Sequence, residues 1–556
     1  MSSKLKLYLL PFCFLLLLAL LLLFPKKSSV PAPASYSTNY WLTVILLPLD
    51  SRPPCTQFVE ELAEMAGIKV ILPQPELLDQ YKIPGNKQEL RAWLRQESQH
   101  ADAAIISTDM LIHGGLLASR LSLGSINDTE EVLDLLTALH NDNPNLQMYV
   151  FTIIPRLLIA DNQKNIAYQK NMLTYSVLKD EIYTFENAED INKLQTLENQ
   201  IPASIISHYH AMYDNNMILN LRLMAMAEEG VLAGLVIGQD DGQPFGIPNL
   251  NKQQLQYYLA QRPLLRNKVF ITRGTDEVAV SLLGHLATKY TQDQPKVFVT
   301  YSDPSTAQLT MPFMPHTVAK TVQEKLAISG ACLVNKMDEA DFILYVHVGT
   351  KANRSKASIY AKQIQTLIQQ QYKVALVDLT ENFQLSETLL PVLLERDVPV
   401  TSLIAYAGWN TTSNSIGTAV TQASIFTKTL SKQHAITGAI TLYKENLEFL
   451  TARFLDDLYY QKEINPYLNK QLQKRHSDPY DLQSAYYQTN YTIQKMLLSK
   501  GKHLFHEKLK NHPITVQTNC EAQTITITDL KLQAYLPWQR TFEIWIKPSL
   551  EIAVIQ

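Results

Sequence analysis

A rhythm dominates this sequence and restricts its architecture. Short apolar runs alternate with longer segments of helical period. The runs are Thr43–Leu49, Lys69–Pro73, Ala103–Ser107, Met148–Ile154, Leu232–Ile237, Val269–Thr272, Val297–Tyr301, Phe342–Val348, Val374–Leu379 and Ser402–Tyr406. Most are continuously apolar, the pattern of strands buried on both faces. Stretches such as Thr56–Ala66, Lys87–Glu97, Glu130–His140 and Ser355–Gln370 separate them. Strand, helix, strand in repetition predicts an α/β fold with mostly parallel strands and helical crossovers. Ten such runs exceed an eight-stranded barrel. Two arrangements fit: a decorated TIM-barrel-like fold, or two α/β lobes. No internal repeat is evident.

The rhythm is interrupted and then abandoned. Residues 157–230 are polar and helical in pattern, too long for an ordinary βα loop, and predict a helical insertion. From about residue 426 the chain turns helical and Tyr-rich, through 512. Residues 513–556 then alternate as short strands, including Ile514–Gln517, Thr524–Ile527 and Phe542–Ile546. The expected order is an α/β core over 41–425, a helical segment over 426–512 and a small β module over 513–556.

Lys4 and Lys6 precede an apolar run, Leu7 to Phe24. As a helix it would span about 27 Å, close to a bilayer core. Residues 1–27 therefore read as a signal peptide or membrane anchor. The length of the run and the Lys26-Lys27 pair favour an anchor. Residues 28–40 read as a linker. The large C-terminal part is expected outside the cytoplasm, with the membrane as a partner.

A net charge of −3 argues against a nucleic-acid partner. Four cysteines, one of them Cys13 in the apolar run, do not make a disulfide scaffold. Glycine is scarce: 18 in 556 residues. Gly114, Gly115, Gly238, Gly242, Gly246, Gly274, Gly349, Gly408 and Gly417 all sit at or just beyond expected strand ends. That is where parallel α/β folds bind ligands.

The strand ends carry the chemistry. Asp50 and Arg52 leave the first run together, as an ion pair or as a clamp for a polar ligand. Asp109, His113 and Gly114-Gly115 follow the third; His113 is either structural or an acid/base group. Gly238-Gln239-Asp240-Asp241-Gly242 follows the fifth. Adjacent carboxylates can split their pKa values into one acid and one base. Asp276 and Glu277 follow the sixth and suit either catalysis or helix capping. Trp409, Asn410 and Asn414 set an aromatic plane beside amides, as sugar recognition requires.

Four segments in this order, Leu-Asp-Ser-Arg-Pro-Pro, Asp-Met-Leu-Ile-His-Gly-Gly-Leu-Leu-Ala-Ser-Arg, Ile-Gly-Gln-Asp-Asp and Tyr-Ala-Gly-Trp-Asn-Thr, resemble an uncharacterised bacterial family, domain of unknown function forty-one twenty-seven. The resemblance covers roughly residues 41–550. It implies a bacterial source and no established activity, so no catalytic residue is carried over. The family pattern often has an acidic residue around Met311–His316; this chain reads Met-Pro-Phe-Met-Pro-His there.

The leading expectation is an extracytoplasmic hydrolase acting on a glycan or cell-wall polymer. Asp240, Asp241, Asp276 and Glu277 are the catalytic candidates. Asp50, Arg52, Asp109, His113, Trp409, Asn410 and Asn414 would hold substrate. No cofactor is expected, although Asp50, Asp109, His113, Asp240 and His347 could serve a divalent metal in a metal-dependent hydrolase. A membrane-tethered binding protein without turnover is the third reading.

Overall fold

The computed structural model describes residues 40–121, 123–159, 165–408, 411–510 and 512–555. The apolar segment Leu7–Phe24, Cys13 and nearly all of the linker lie outside them, as do Trp409 and Asn410. Among the described residues no helix is long and apolar enough to cross a membrane. Cys55, Cys332 and Cys520 are free thiols.

The runs become two parallel sheets, not a barrel. The first sheet is built from β1 (Leu42–Leu47), β2 (Ile68–Ile71), β3 (Ala103–Ser107), β4 (Gln147–Ile154), β5 (Gly234–Gln239) and β6 (Val269–Arg273). Its order is β2-β1-β3-β4-β5-β6, every pair parallel. The second sheet contains β7 (Lys296–Tyr301), β8 (Cys332–Leu333), β9 (Phe342–Gly349), β10 (Val374–Thr380) and β11 (Leu403–Ala407). From its β8 edge the order is β8-β7-β9-β10-β11, again parallel. The two sheets therefore repeat one doubly wound order, second-first-third-fourth-fifth. Both are open, which corrects the barrel alternative. Strand count alone could not decide this, because closure depends on pairing. β8 has two residues, too short for any periodicity to reveal.

The continuous apolar runs divide by parity between two cores. Val44 and Leu46 of β1 join the core shared with the second sheet, whereas Ile45 and Leu47 face the other way. Phe151 and Ile153 of β4 go to the first core, and Val150 and Ile154 to the second. Both faces of the strand lose water, so neither alternates with polar residues. The insertion consists of helices Gln169–Phe185, Ala188–Gln200 and Ala203–Glu229, and it packs on the second of these cores.

The sheets are joined by the helix Thr412–Ser431. It touches helices Val278–Thr291 and Val318–Ile328 as well as β10 and β11. It is buried almost throughout, although rich in Ser and Thr. Thr418 and Thr427 return their hydroxyls to the carbonyls of Asn414 and Ala423, at 2.8 and 2.7 Å, which lets a polar helix occupy a dry position. Further helices lead to an antiparallel sheet of β12 (Ile514–Gln517), β13 (Ala522–Tyr535) and β14 (Trp545–Ile555). This module folds back over the first sheet: the Trp538 indole donates to Ser51 Oγ at 2.9 Å, across 487 positions of sequence.

Candidate functional site

In doubly wound sheets, ligands bind beyond the carboxyl ends of the strands, where the strand order reverses. In the first sheet that point lies between β1 and β3. A cleft of about 700 Å³ opens there. Arg52 enters it after β1, Arg120 after β3, Arg156 after β4, Asp240 and Asp241 after β5, and Asp276 after β6. The second lobe adds Phe313, Met314, Thr411 and Asn414, and the C-terminal region adds Asp478, Tyr480, Arg540 and Phe542. Three chain regions thus build one site.

Arg52 organises its floor. Its guanidinium donates to Asp50 Oδ2 at 2.6 Å and to Asp276 Oδ1 at 2.7 Å, and lies 3.6 Å from Glu543. Trp538 lies beside it, 5.5 Å from ring centroid to guanidinium carbon. Burial works against ionisation of Asp50, but Arg52 more than offsets it and holds that carboxyl below the usual range. Burial also opposes charge on Arg52, and the surrounding carboxylates keep it firmly cationic. A buried arginine with three acidic neighbours is a fixed point, not a mobile ligand clamp.

Asp240 and Asp241 differ sharply although adjacent. Asp240 is buried and accepts two hydrogen bonds from Arg120, at 2.9 and 2.6 Å. Its other oxygen accepts from the Asp241 amide at 2.8 Å. Asp241 faces the open cleft. Its carboxyl is pushed up to about 7, by withdrawal from bulk water and then by the negative charge of Asp240. Asp276 raises it further, while Arg120 and Arg156 work against the shift. Asp240 is thus committed to Arg120, while the raised carboxyl of Asp241 faces the cleft.

Gly274 permits the approach of the central helix. Its φ is +82°, and an added Cβ would lie 2.6 Å from Ser413 Oγ. Asn414 then reaches Asp276, its amide nitrogen 3.5 Å from Oδ2. Around the rim stand Tyr81, Tyr480, Phe313 and Phe542.

Several predicted residues fall elsewhere. Asp50 lies beneath the cleft as the partner of Arg52. Asp109 is buried and accepts from the Ile153 amide at 3.0 Å. Ser107 caps the helix Thr108–His113, so the chain turns before Asp109 can reach the cleft. Burial raises its carboxyl to about 7. His113 lies with it on a separate cavity of about 30 Å³, and burial lowers the imidazole to about 4. Glu277 is wholly buried in an ion pair with Lys325 and does not line the cleft. Its role is to neutralise a lysine whose ammonium also binds the Arg273 carbonyl at 2.6 Å. His347 is held by Ser302 and the Glu387 carbonyl at 2.9 and 3.2 Å, as a packed histidine. Asp50, Asp109, His113, Asp240 and His347 do not assemble into a metal cluster.

The cluster of three potential metal ligands found among the described residues is Asp50, Cys55 and Asp276, all buried. Its chemistry does not suit a cation. Arg52 already binds both carboxylates, and burial followed by repulsion from Asp50 holds the Cys55 thiol well above its usual pKa, whereas metals take thiolates.

Sequence reasoning missed Arg120, Arg156, Tyr81, Lys82, Tyr480, Arg540 and Phe542. Arg156 could have been found by reading the fourth strand end as the others were read. Arg540 and Phe542 follow an antiparallel strand and give no such signal. Arg540 is held by Glu543 and lies against Trp538, 4.8 Å from its ring centroid.

A pair of open doubly wound sheets, with a polar cleft beyond one switch point and a C-terminal β module across it, defines a two-lobed α/β protein. The chain belongs to the family described as Protein of unknown function (DUF4127), whose model matches residues 44–547. No curated protein and no solved structure matches it.

Proposed function

We propose that the protein is a hydrolase acting on a glycan, held outside the cytoplasm by the apolar segment Leu7–Phe24. The observation that supports this reading is the convergence of Asp240, Asp241 and Asp276, from two strand ends, on one aromatic-rimmed cleft. Glycoside hydrolysis needs a protonated acid beside the leaving oxygen and a second carboxylate for the developing positive charge. Asp241, raised to about 7, is the proton donor. Asp276, oriented by Arg52 and Asn414, is the charged partner. Asp240 keeps Arg120 in place and sustains the raised pKa of Asp241. Tyr81, Tyr480, Phe313 and Phe542 offer ring faces for sugars.

The test is release of reducing ends from purified cell-wall and exopolysaccharide preparations by the full chain in nanodiscs. Asp241→Asn should abolish release while leaving the thermal melt in place, and Asp276→Asn should abolish it with a lowered melt, because it also removes a buried partner of Arg52. No release from any preparation by the wild type would refute the reading.

One observation favours binding without turnover. Asp240 and Asp276 are both engaged by arginines, which makes either a poor nucleophile. A glycan bound tightly and recovered intact would identify that role.

A further inference from the structure

The cleft continues into a second cavity. Arg120 and Leu121 line both. The second has a volume of about 630 Å³ and runs along the helical insertion. Its walls differ in kind from the cleft's. Leu121, Ile159, Ile205 and Met212 line it together with Tyr168 and Tyr209. Its remaining polar groups are Asn165, Ser204 and His208, and no carboxylate is among the described residues lining it. Arg120 stands at the junction with its charge matched by Asp240. From that point a ligand passes from paired charges into a largely apolar space.

Apolar side chains are also exposed beside this groove, one after β3 and one in the insertion. Leu121 is 50% exposed, and Ile166, between the lining residues Asn165 and Tyr168, is 58% exposed. Single exposed apolar residues are ordinary. Here they flank an apolar groove that opens into a polar site. That combination fits a molecule with a polar head and an apolar tail.

We propose that the groove seats the apolar chain of an amphiphilic substrate, so that the protein acts on a lipid-linked saccharide. The inference rests on the glycan reading of the cleft and specifies its substrate class. The head occupies the space between Asp241, Asp276 and the aromatic rim. The chain passes Arg120 and Leu121 and lies between Ile159, Ile205 and Met212. Apolar burial of this kind tightens binding by about fourfold for each methylene.

The test uses the full chain in phosphatidylcholine nanodiscs, with dodecyl glucoside carrying a diazirine at the chain end. After illumination, labelled peptides are mapped by mass spectrometry. Label should concentrate within residues 157–230. Ile205→Trp and Met212→Trp, which fill the groove, should each reduce it at least fivefold, with circular dichroism and the thermal melt showing that they fold. Unlabelled dodecyl glucoside should compete, and glucose and dodecanol should compete far less. Label spread over the surface or confined to residues 1–40 would overturn the proposal. So would label indifferent to both substitutions, or competition by dodecanol equal to that of dodecyl glucoside. Groove labelling without cleavage of any glycan would sink the hydrolase reading and leave the chain site standing. Glycan cleavage with an unlabelled groove would sink this inference alone.

Discussion

Replacing Lys252 by methionine should stabilise the protein, and the gain should depend on pH. Lys252 lies on the helix Ile247–Ala260 and is 3% exposed. Its ammonium nitrogen finds no hydrogen-bond partner among the described residues. Burial, then repulsion from Arg273, lowers the amine from the usual 10.5 to about 7. At about 1.4 kcal/mol for each tenfold change in protonation, keeping the charged form inside costs on the order of 5 kcal/mol. Methionine has similar length and nearly equal helix propensity, so it removes this cost with little change in packing. The sign follows from linkage. The folded pKa lies below the unfolded one, so the unfolded chain binds more protons between about pH 7 and 10.5. Wild-type stability therefore gains from Lys252 deprotonation as pH rises through that window. Lys252→Met should exceed wild type by a few kcal/mol at pH 6.5, and the difference should shrink steadily towards pH 10. Urea unfolding at four pH values, read as midpoint shifts at constant slope, measures it. Comparing two chains that differ at one residue cancels the other titrations. A difference independent of pH, or a methionine variant less stable at pH 6.5, would refute the reasoning.

Three further outcomes are expected. With Asp241 as proton donor, turnover of a glycan should fall as pH rises through about 7, and Asp241→Asn should lose roughly 10²-fold or more in kcat; a flat pH profile would deny Asp241 that role. Lys325→Met strands Glu277, which is fully buried beside it, and should cost about 3–5 kcal/mol in urea unfolding, whereas a near-neutral result would show that Glu277 is protonated. Gly274→Ala forces a side chain into a φ of +82° and against Ser413, so it should destabilise by more than about 1 kcal/mol and lower the thermal midpoint; an unchanged midpoint would show that the central helix moves freely there.

The first lobe's cleft was legible because a parallel sheet delivers its ligand contacts within a few residues of each strand. Arg52, Asp240, Asp241 and Asp276 all follow strands directly and all line the cleft. The same rule misleads where a helix begins at once. Asp109 follows β3 just as closely, but the helix capped by Ser107 turns it towards the Ile153 amide. Glu277 stands one position beyond Asp276 and is already committed to Lys325. Arg120 lies thirteen positions past β3, at the end of a segment that was legible as a unit but gave no sign of the role of its last residue. Choosing two sheets over a barrel required knowing which strands pair, and no run states its neighbour.

The ion pair between Arg52 and Glu543 also sets a timetable. A ribosome makes Arg52 among the first residues of this fold and Glu543 among the last. All eleven strands of the two doubly wound sheets are synthesised while the arginine still lacks one of its acidic neighbours and its tryptophan cover. A chain truncated before Trp538 would therefore leave the floor of the cleft open beside Arg52. The C-terminal module is thus part of the cleft's floor and wall, not an appendage to the two lobes.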